Sequence, residues 1–526
     1  MRIRILALFV ALAPAVARAD WTSFRNGGGS SADCKLPSTW SPEEGIAWQL
    51  ELPGYGQSTP VVVGDNVYVT AVIGPMKDSC AVVCLSLGDG KELWREEVEA
   101  SAKAASNYMA SRAAPTPVAD KRGVYAFFES GDVVAVSTSG EKLWHRNLSD
   151  ELGQFENNHG LGSSPAQNAT HLFINLEHKG PSWLVAVNKN TGQIDWKADR
   201  PSGSSWSSPV VNERGGRSLV LVSSAGSLTA YDSATGEKLW AVGDLDGNTV
   251  PSPTPLGDHI YVGARLPEFA KEGSVRSNCC IDLSRMEAGQ PKVAWRADRA
   301  ISDYASPVAI GHFVYFINKV GVLTCVDADS GKTLYRHRLS GESWATPIVS
   351  GSRLYCFAKN GTAQVIEAGE QFTAVSTNRL WGSEAPPKPE HYVENAGGGH
   401  GHGRPNSDSS AKHGGGSNQG EGESGATRRP GGGMMAAMMR GDKDGDGNLS
   451  ADEVSADFKP MLPRIDTNGD GALDASELKA MAESFAARRA SSRSSARDPI
   501  VYGAVASSGN ILVRTGTRLY CIRDDS

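Results

Sequence analysis

Residues 230–240 read AYDSATGEKLW, and this stretch decides the fold. Ala230 and Tyr231 end an alternating apolar run, and Asp232 stands where its carboxylate can bond the backbone of a turn. Gly236 supplies the positive φ that a tight turn needs, and Leu239 and Trp240 begin a second strand. The unit is strand, turn, strand. Variants recur as CLSLGDGKELW (84–94), AVNKNTGQIDW (186–196), CVDADSGKTLY (325–335) and the shorter AVSTSGEKLW (135–144). Trp48 in IAWQLEL and Trp295 in KVAW read as worn copies of the closing end.

A second marker opens each unit, a Ser/Thr-Pro or similar step before an alternating run, as in STPVVVGDNVYV and ATPIVSGSRLYCF. Openers fall at Pro60, Pro117, Pro165, Pro209, Pro253, Pro307 and Pro347, and VYGAVASSGNILV near the C-terminus makes eight. Opener to closer leaves room for three or four short strands, the size of one propeller blade. The last unit lacks an outer strand, and residues 46–52 are an orphan strand able to supply it. The expectation is an all-β, eight-bladed propeller closed by its N-terminal strand, with no exposed sheet edge at the seam.

Arg2 and Arg4, an apolar stretch over 5–16 and the small residues of Ala17-Arg18-Ala19 predict a signal peptide over 1–19. No later run is apolar and long enough to span a bilayer, so the mature chain is expected to be periplasmic or secreted. The net charge of −7, with no basic stripe, argues against nucleic acid as a partner. Eight cysteines are permitted to pair after export, yet most sit inside apolar alternating runs, where buried free thiols are expected.

Sheet patterning stops near Trp381. Residues 384–433 are rich in Gly, Pro, Ser and His and read as a solvated linker, with His391, His400, His402 and His413 able to hold a metal only loosely. Then come DKDGDGNLSADE (442–453) and DTNGDGALDASE (466–477), two twelve-residue calcium loops within an EF-hand pair over 434–490. Asp442, Asp444 and Asp446 of the first loop, and Asp466, Asn468 and Asp470 of the second, offer hard oxygen ligands at positions one, three and five. Asn448 and Ala472 offer backbone carbonyls, and Glu453 and Glu477 close each shell bidentately. Leu449 and Leu473 occupy position eight, where paired loops touch. Calcium is the expected cofactor. Pro460 and Pro463 keep the helix between the loops short. The domain order is therefore propeller over 20–383, linker, EF-hand pair, and a last blade over 491–526.

The Trp-ended units resemble the tryptophan-docking repeat of pyrroloquinoline quinone (PQQ)-type propellers. The resemblance covers about residues 46–379 and 499–523. It implies one of two functions, quinoprotein oxidation of alcohols or sugars, or non-enzymatic binding as in the outer-membrane barrel-assembly propeller. An enzyme of this kind implies a quinone in the central funnel, a calcium ion beside it, an Asp base and often a disulfide between adjacent cysteines. Cys279-Cys280 are adjacent, but strand alternation sends their side chains to opposite faces. The units also lack long insertions to wall off a cofactor. The expectation is a non-enzymatic scaffold or binding protein, with a PQQ-dependent dehydrogenase as the alternative, and PQQ is not expected.

Innermost strands begin beside the propeller axis, so residues just before each opener should line the rim of one face. These are Tyr55, His159, Trp206, Tyr304, Trp344 and Tyr502, with Arg112 nearby. Aromatics with polar tips suit a protein, saccharide or small-molecule ligand, or else they pack between blades. A monomer is expected.

Overall fold

The computed structural model describes residues 20–104, 110–157, 159–265, 276–388, 390–391, 449–450, 453, 472–474, 477–478, 496–497 and 500–524. The chain divides into two units, one of residues 1–393 and 498–526 and one of residues 394–497. The predicted signal peptide lies outside the described residues.

The first unit is the eight-bladed propeller. Blades one to seven start with innermost strands at Val61–Val63, Val118–Asp120, Ala166–Gln167, Val210–Arg214, Thr254–Leu256, Val308–Ile310 and Ile348–Ser350. Each begins at, or one residue after, the proline of its opener, and the next three strands follow outward in antiparallel order. Blade eight holds Val501–Ser507, Asn510–Thr515 and Arg518–Ile522, and Ile46–Glu51 adds its outermost strand, with Gln49 opposite Tyr520. The closure expected for the orphan strand is present.

The repeated Trp and Gly are two halves of one contact between blades. Indole N–H groups of Trp48, Trp94, Trp144, Trp196 and Trp295 donate to carbonyls in the next blade's turn, at Leu87, Thr138, Lys189, Ser233 and Ala328, over 2.7–3.1 Å. Each ring lies flat on that turn's glycine. A Cβ at Gly236 would sit 2.5 Å from the Trp196 ring, and its φ of +73° is strained for any other residue. Trp48 and Trp295, the worn copies, dock in the same way. Trp240 is buried against Leu283 and Ile281 of a blade whose turn has no docking glycine.

The Ser/Thr-Pro opener has a matching cause. Backbone N–H groups of Thr59, Thr116, Ser164, Ser208, Ser252 and Ser306 each donate to the opener hydroxyl of the next blade, at Thr116, Ser164, Ser208, Ser252, Ser306 and Thr346, over 2.9–3.0 Å. The result is a band of hydroxyls round the channel wall. Blade eight carries Gly503 at this point, where a Cβ would lie 2.3 Å from Thr59.

Residues 20–40 form a strap, which the repeat pattern did not reveal. Trp21 pairs with Val62 of blade one, and the Thr22 carbonyl accepts from Ala119 N of blade two and Gln167 Nε2 of blade three. Gly28 packs on Val210 and Pro255, and Ser31–Ala32 pairs in parallel with blade seven. The strap thus touches the innermost strands of blades one, two, three, four, five and seven in turn. Arg25, 3% exposed, sends its guanidinium to the carbonyls of Ser252, Pro253 and Pro307 at 3.1–3.2 Å.

In the second unit, Leu449–Ser450 pairs antiparallel with Ala472–Leu473, placing Leu449 opposite Leu473. This is the contact expected between paired calcium loops. The helices expected to flank the loops fall largely outside the described residues. Where the chain leaves blade seven, Lys388 O accepts from Thr517 Oγ1 at 3.4 Å, and Thr515 pairs with Val501. Departure and return therefore meet at one corner of blade eight. Loop-closure entropy grows only with the logarithm of length, so a long insert costs little there. Replacing residues 384–498 by a short Gly/Ser bridge is expected to leave the propeller folded. All twelve tryptophans lie between Trp21 and Trp381, so the tryptophan-monitored unfolding midpoint should stay within a few degrees.

Candidate functional site

The rim residues meet across blade boundaries. Tyr304 and Trp344 have ring centroids 5.1 Å apart, Trp344 and Tyr502 6.0 Å, and Tyr502 and Tyr55 6.3 Å edge to face. The Tyr55 and Tyr502 hydroxyls share a hydrogen bond of 2.7 Å. Arg112 lays its guanidinium 4.2 Å from the centre of the Tyr55 ring, and Lys359 its ammonium 4.7 Å from that of Trp344. Each geometry is a cation–π contact. The chain of rings thus runs from the start of blade six round to blade two. His159 and Trp206 form a separate pair at 5.7 Å, with Trp206 Nε1 donating to Gly160 O at 3.0 Å. The aromatic rings are half-buried, so each serves as packing between blades and as exposed surface.

The local sequence explains the placement. Trp206, Tyr304 and Trp344 each stand three residues before an opener proline, where the chain turns from an outer strand toward the axis. Tyr502 sits at a register shift between Val501 and Gly503, a bulge that re-aims its side chain. Tyr55 is held by a bridge to Val72 and by Gly516, where a Cβ would lie 2.1 Å from its ring. Beneath the pair, buried Arg514 donates to Ser58 O at 3.1 Å and to Thr70 O, tying blade eight to blade one. Burial pulls its pKa down to about 9. Lys359 and Arg514 were not singled out in the sequence. Neither carries a repeat signal, although both flank residues that do.

Beside blade two, the Asp132 carboxylate is a hub. It accepts from Ser101 N at 3.0 Å, from Ser101 Oγ and Ser130 Oγ at 2.6 Å each, and it meets His145 Nε2 at 2.8 Å. Burial alone would raise its pKa, but these bonds hold it well below the usual carboxylate range. The unfolded carboxylate titrates near about 3.9, so this stabilisation is complete above about pH 5. It is lost as pH falls through the lower folded-state value. Asp132→Asn is expected to cost about 2 kcal/mol at pH 7 and to flatten the acid limb of stability against pH. Urea unfolding between pH 3 and pH 7 checks both.

Calcium loop residues Asp442, Asp444, Asp446, Asn448, Asp466, Asn468 and Asp470 lie outside the described residues. Of the others, Glu453 Oε2 accepts from Ser450 N at 3.1 Å and Ser450 Oγ at 2.8 Å, and Glu477 Oε2 accepts from Asp474 N at 3.2 Å. Both position-twelve carboxylates therefore fold back on position nine of their own loops. Ala472 holds the short strand pairing, which fits use of its carbonyl alone. These residues fit the calcium loop pattern.

The quinone and calcium implied by a dehydrogenase fit less well. Among the described residues, no three His, Cys, Asp or Glu side chains gather as a metal-binding group. Cys279 packs in one face cluster of its sheet and Cys280 in the opposite one, and all eight cysteines are free. Burial pushes the Cys279 thiol up to about 12.

Comparison with known proteins follows this geometry. The chain is similar to the crystal structure of BamB from Moraxella catarrhalis, with TM-score 0.46, 14% identity, and coverage of 63% of this chain and 87% of that one. A europium-containing methanol dehydrogenase is similar at TM-score 0.47 and 11% identity, covering 69% and 85%. By sequence, polyvinylalcohol dehydrogenase of Sphingopyxis sp. (strain 113P3) is 25% identical over 46% of this chain and 44% of its own. Outer membrane protein assembly factor BamB of Yersinia pestis is 24% identical over 45% and 59%. The chain spans about half the length of these curated relatives. No helix among the described residues is long and apolar enough to cross a membrane. Residues 463–482 match an EF-hand family, covering the second calcium loop. Four overlapping matches at 39–168, 149–274, 179–303 and 281–396 cover more than half of the chain, which therefore belongs to the family described as outer membrane protein assembly factor BamB.

Proposed function

We propose that this chain is an exported, non-enzymatic binding propeller that docks a partner protein on its aromatic rim and carries a calcium-binding EF-hand pair. The observation that carries this reading is the continuous run Tyr304–Trp344–Tyr502–Tyr55–Arg112, flanked by Lys359. Aromatic side chains, half-buried here, and Arg are the residue types that dominate protein-binding hot spots, and Arg112, 3% exposed, backs the Tyr55 ring from within. The two cations favour a partner segment that is acidic or aromatic. Three of the curated relatives are named as assembly factors and agree with this choice; the polyvinylalcohol dehydrogenases keep oxidation as the competing reading. The run of rim aromatics favours the first.

A photo-crosslinking side chain at Trp344, compared with one at exposed Val375 on the outer edge of blade seven, tests the reading in the protein's own cell envelope. Discrete protein adducts are expected from the rim position alone, and Arg112→Glu should reduce them severalfold. Equal adducts from both positions, or none from the rim, would contradict it.

A further inference from the structure

A cavity of about 240 Å³ opens beside the rim, among the loops of blades one, two and three. One part of its wall is small and apolar, made by Ala100, Ala102, Ala104 and Ala110 with the Phe155 ring. The other part is polar, made by Lys77, Glu129, Asn157 and His159. The volume is below the roughly 300–1,000 Å³ of sites for drug-sized ligands, so it suits a single ring.

The polar part is close to electrically neutral. Lys77 Nζ lies 3.1 Å from Glu129 Oε1, and both side chains are more than nine-tenths buried, at 9% and 7% exposure. Lys77 also donates to Ser111 O at 2.7 Å, and Glu129 accepts from Ala113 N at 2.9 Å. Burial lowers the His159 pKa, which favours its neutral imidazole. An anion entering here would meet Glu129, and a cation would meet Lys77. Hydrogen bonding is nonetheless incomplete. Asn157 Nδ2 and His159 Nδ1 in the cavity wall, and Ser111 Oγ next to it in the chain from Ala110, are buried and have no partner among the described residues. Each such group costs about 1–3 kcal/mol. Two of them, on Asn157 and His159, stand in the cavity wall and mark a place where a bound polar group completes the bonding.

We propose that this pocket receives a phenol-class ring, supplied as a tyrosine side chain by the partner that docks on the rim. The alanines and Phe155 take the ring, and the unpartnered groups take the hydroxyl, which both donates and accepts. The source of the ring rests on the docking reading above, whereas the phenol chemistry stands without it. Position supports the link. The His159 ring faces Trp206 of the rim, its carbonyl accepts from Ser111 N at 2.6 Å, and Ser111 precedes Arg112.

Ligand-observed NMR on the full chain tests the proposal with N-acetyl-tyrosinamide against N-acetyl-phenylalaninamide. A site built to bond a hydroxyl penalises the analogue lacking it. Saturable binding in the millimolar range is expected, at least tenfold tighter for the tyrosine probe. Ala102→Trp, at an exposed wall position, should abolish it, and Asn157→Ala should cut the preference severalfold. Trp344→Ala should leave probe binding unchanged. Equal binding of the two probes, or undiminished binding to Ala102→Trp, overturns the assignment. An acetyl-Asp-Tyr-Asp-amide peptide binding tighter than the single residue supports a partner protein as the source. Probe binding without any rim crosslink removes the partner as source and upholds the phenol pocket. A rim crosslink without probe binding overturns the pocket and leaves the docking reading intact.

Discussion

Replacing Arg25 by alanine is expected to destabilise the propeller by about 3 kcal/mol, as a lower urea midpoint at unchanged m-value. The side chain is 3% exposed and has no carboxylate among its partners in the described residues. Its partners are the carbonyls of Ser252, Pro253, Pro307 and Gly28 and the Thr254 hydroxyl. Hydrogen bonds to a charged group contribute about 1.5–3 kcal/mol each, net of the water bonds they replace. Desolvation is large here, and burial pulls the Arg25 pKa down to about 9. The backbone adds strain, since Arg25 has φ of 55°. The net effect of truncation is nonetheless loss, because the buried carbonyls of Ser252 and Pro253 in blade five lose this donor. Arg25→Lys should recover only part of the stability, since an ammonium cannot span the same fork of acceptors. Tryptophan fluorescence reads the propeller alone. A midpoint unchanged in Arg25→Ala would mean that the strap is not part of the core.

Calcium titration should give the second large effect. The carboxylates of the first loop and those of the second bind a hard cation through oxygen, and affinities of about 10⁻⁴–10⁻³ M suffice outside the cell. Calorimetry on the full chain is expected to show two sites. Glu453→Gln should remove one and Glu477→Gln the other, because each loses the bidentate ligand that completes a shell. At 1 mM calcium and a Kd of about 10⁻⁴ M, each filled site adds about 1.4 kcal/mol to the stability of the EF-hand pair. The tryptophan-monitored midpoint of the propeller should not move with calcium or a chelator. Absence of calcium heat from the unaltered chain would remove the metal from the account.

Much of this architecture was legible because it repeats. The glycine and tryptophan of each unit carry one interblade contact, and the hydroxyl before each opener proline carries another, so both recur with the blade. Even Trp48 and Trp295 could be read, since the docking geometry tolerates change around the indole. Rim aromatics were found by the same logic, from their place before an opener, which for Trp206, Tyr304 and Trp344 is three residues before its proline. The strap was not legible. Arg25 bonds to carbonyls 227–282 residues away, and nothing in the local order of 20–40 marks those partners. The off-axis pocket escaped for a related reason. Lys77, Glu129 and His159 come from loops that differ between blades, and no period brings them together on the page. Lys359 and Arg514 likewise act through neighbours supplied by other blades.

The central claim is that the rim binds a partner and the funnel performs no quinone chemistry. Its most direct test is the absorbance spectrum of the purified full chain after addition of PQQ and calcium, followed by dye-linked oxidation of short alcohols. The expected result is no protein-bound quinone chromophore after desalting and no alcohol-dependent dye reduction. A retained chromophore that oxidises alcohols would contradict the claim and make the chain a quinoprotein dehydrogenase.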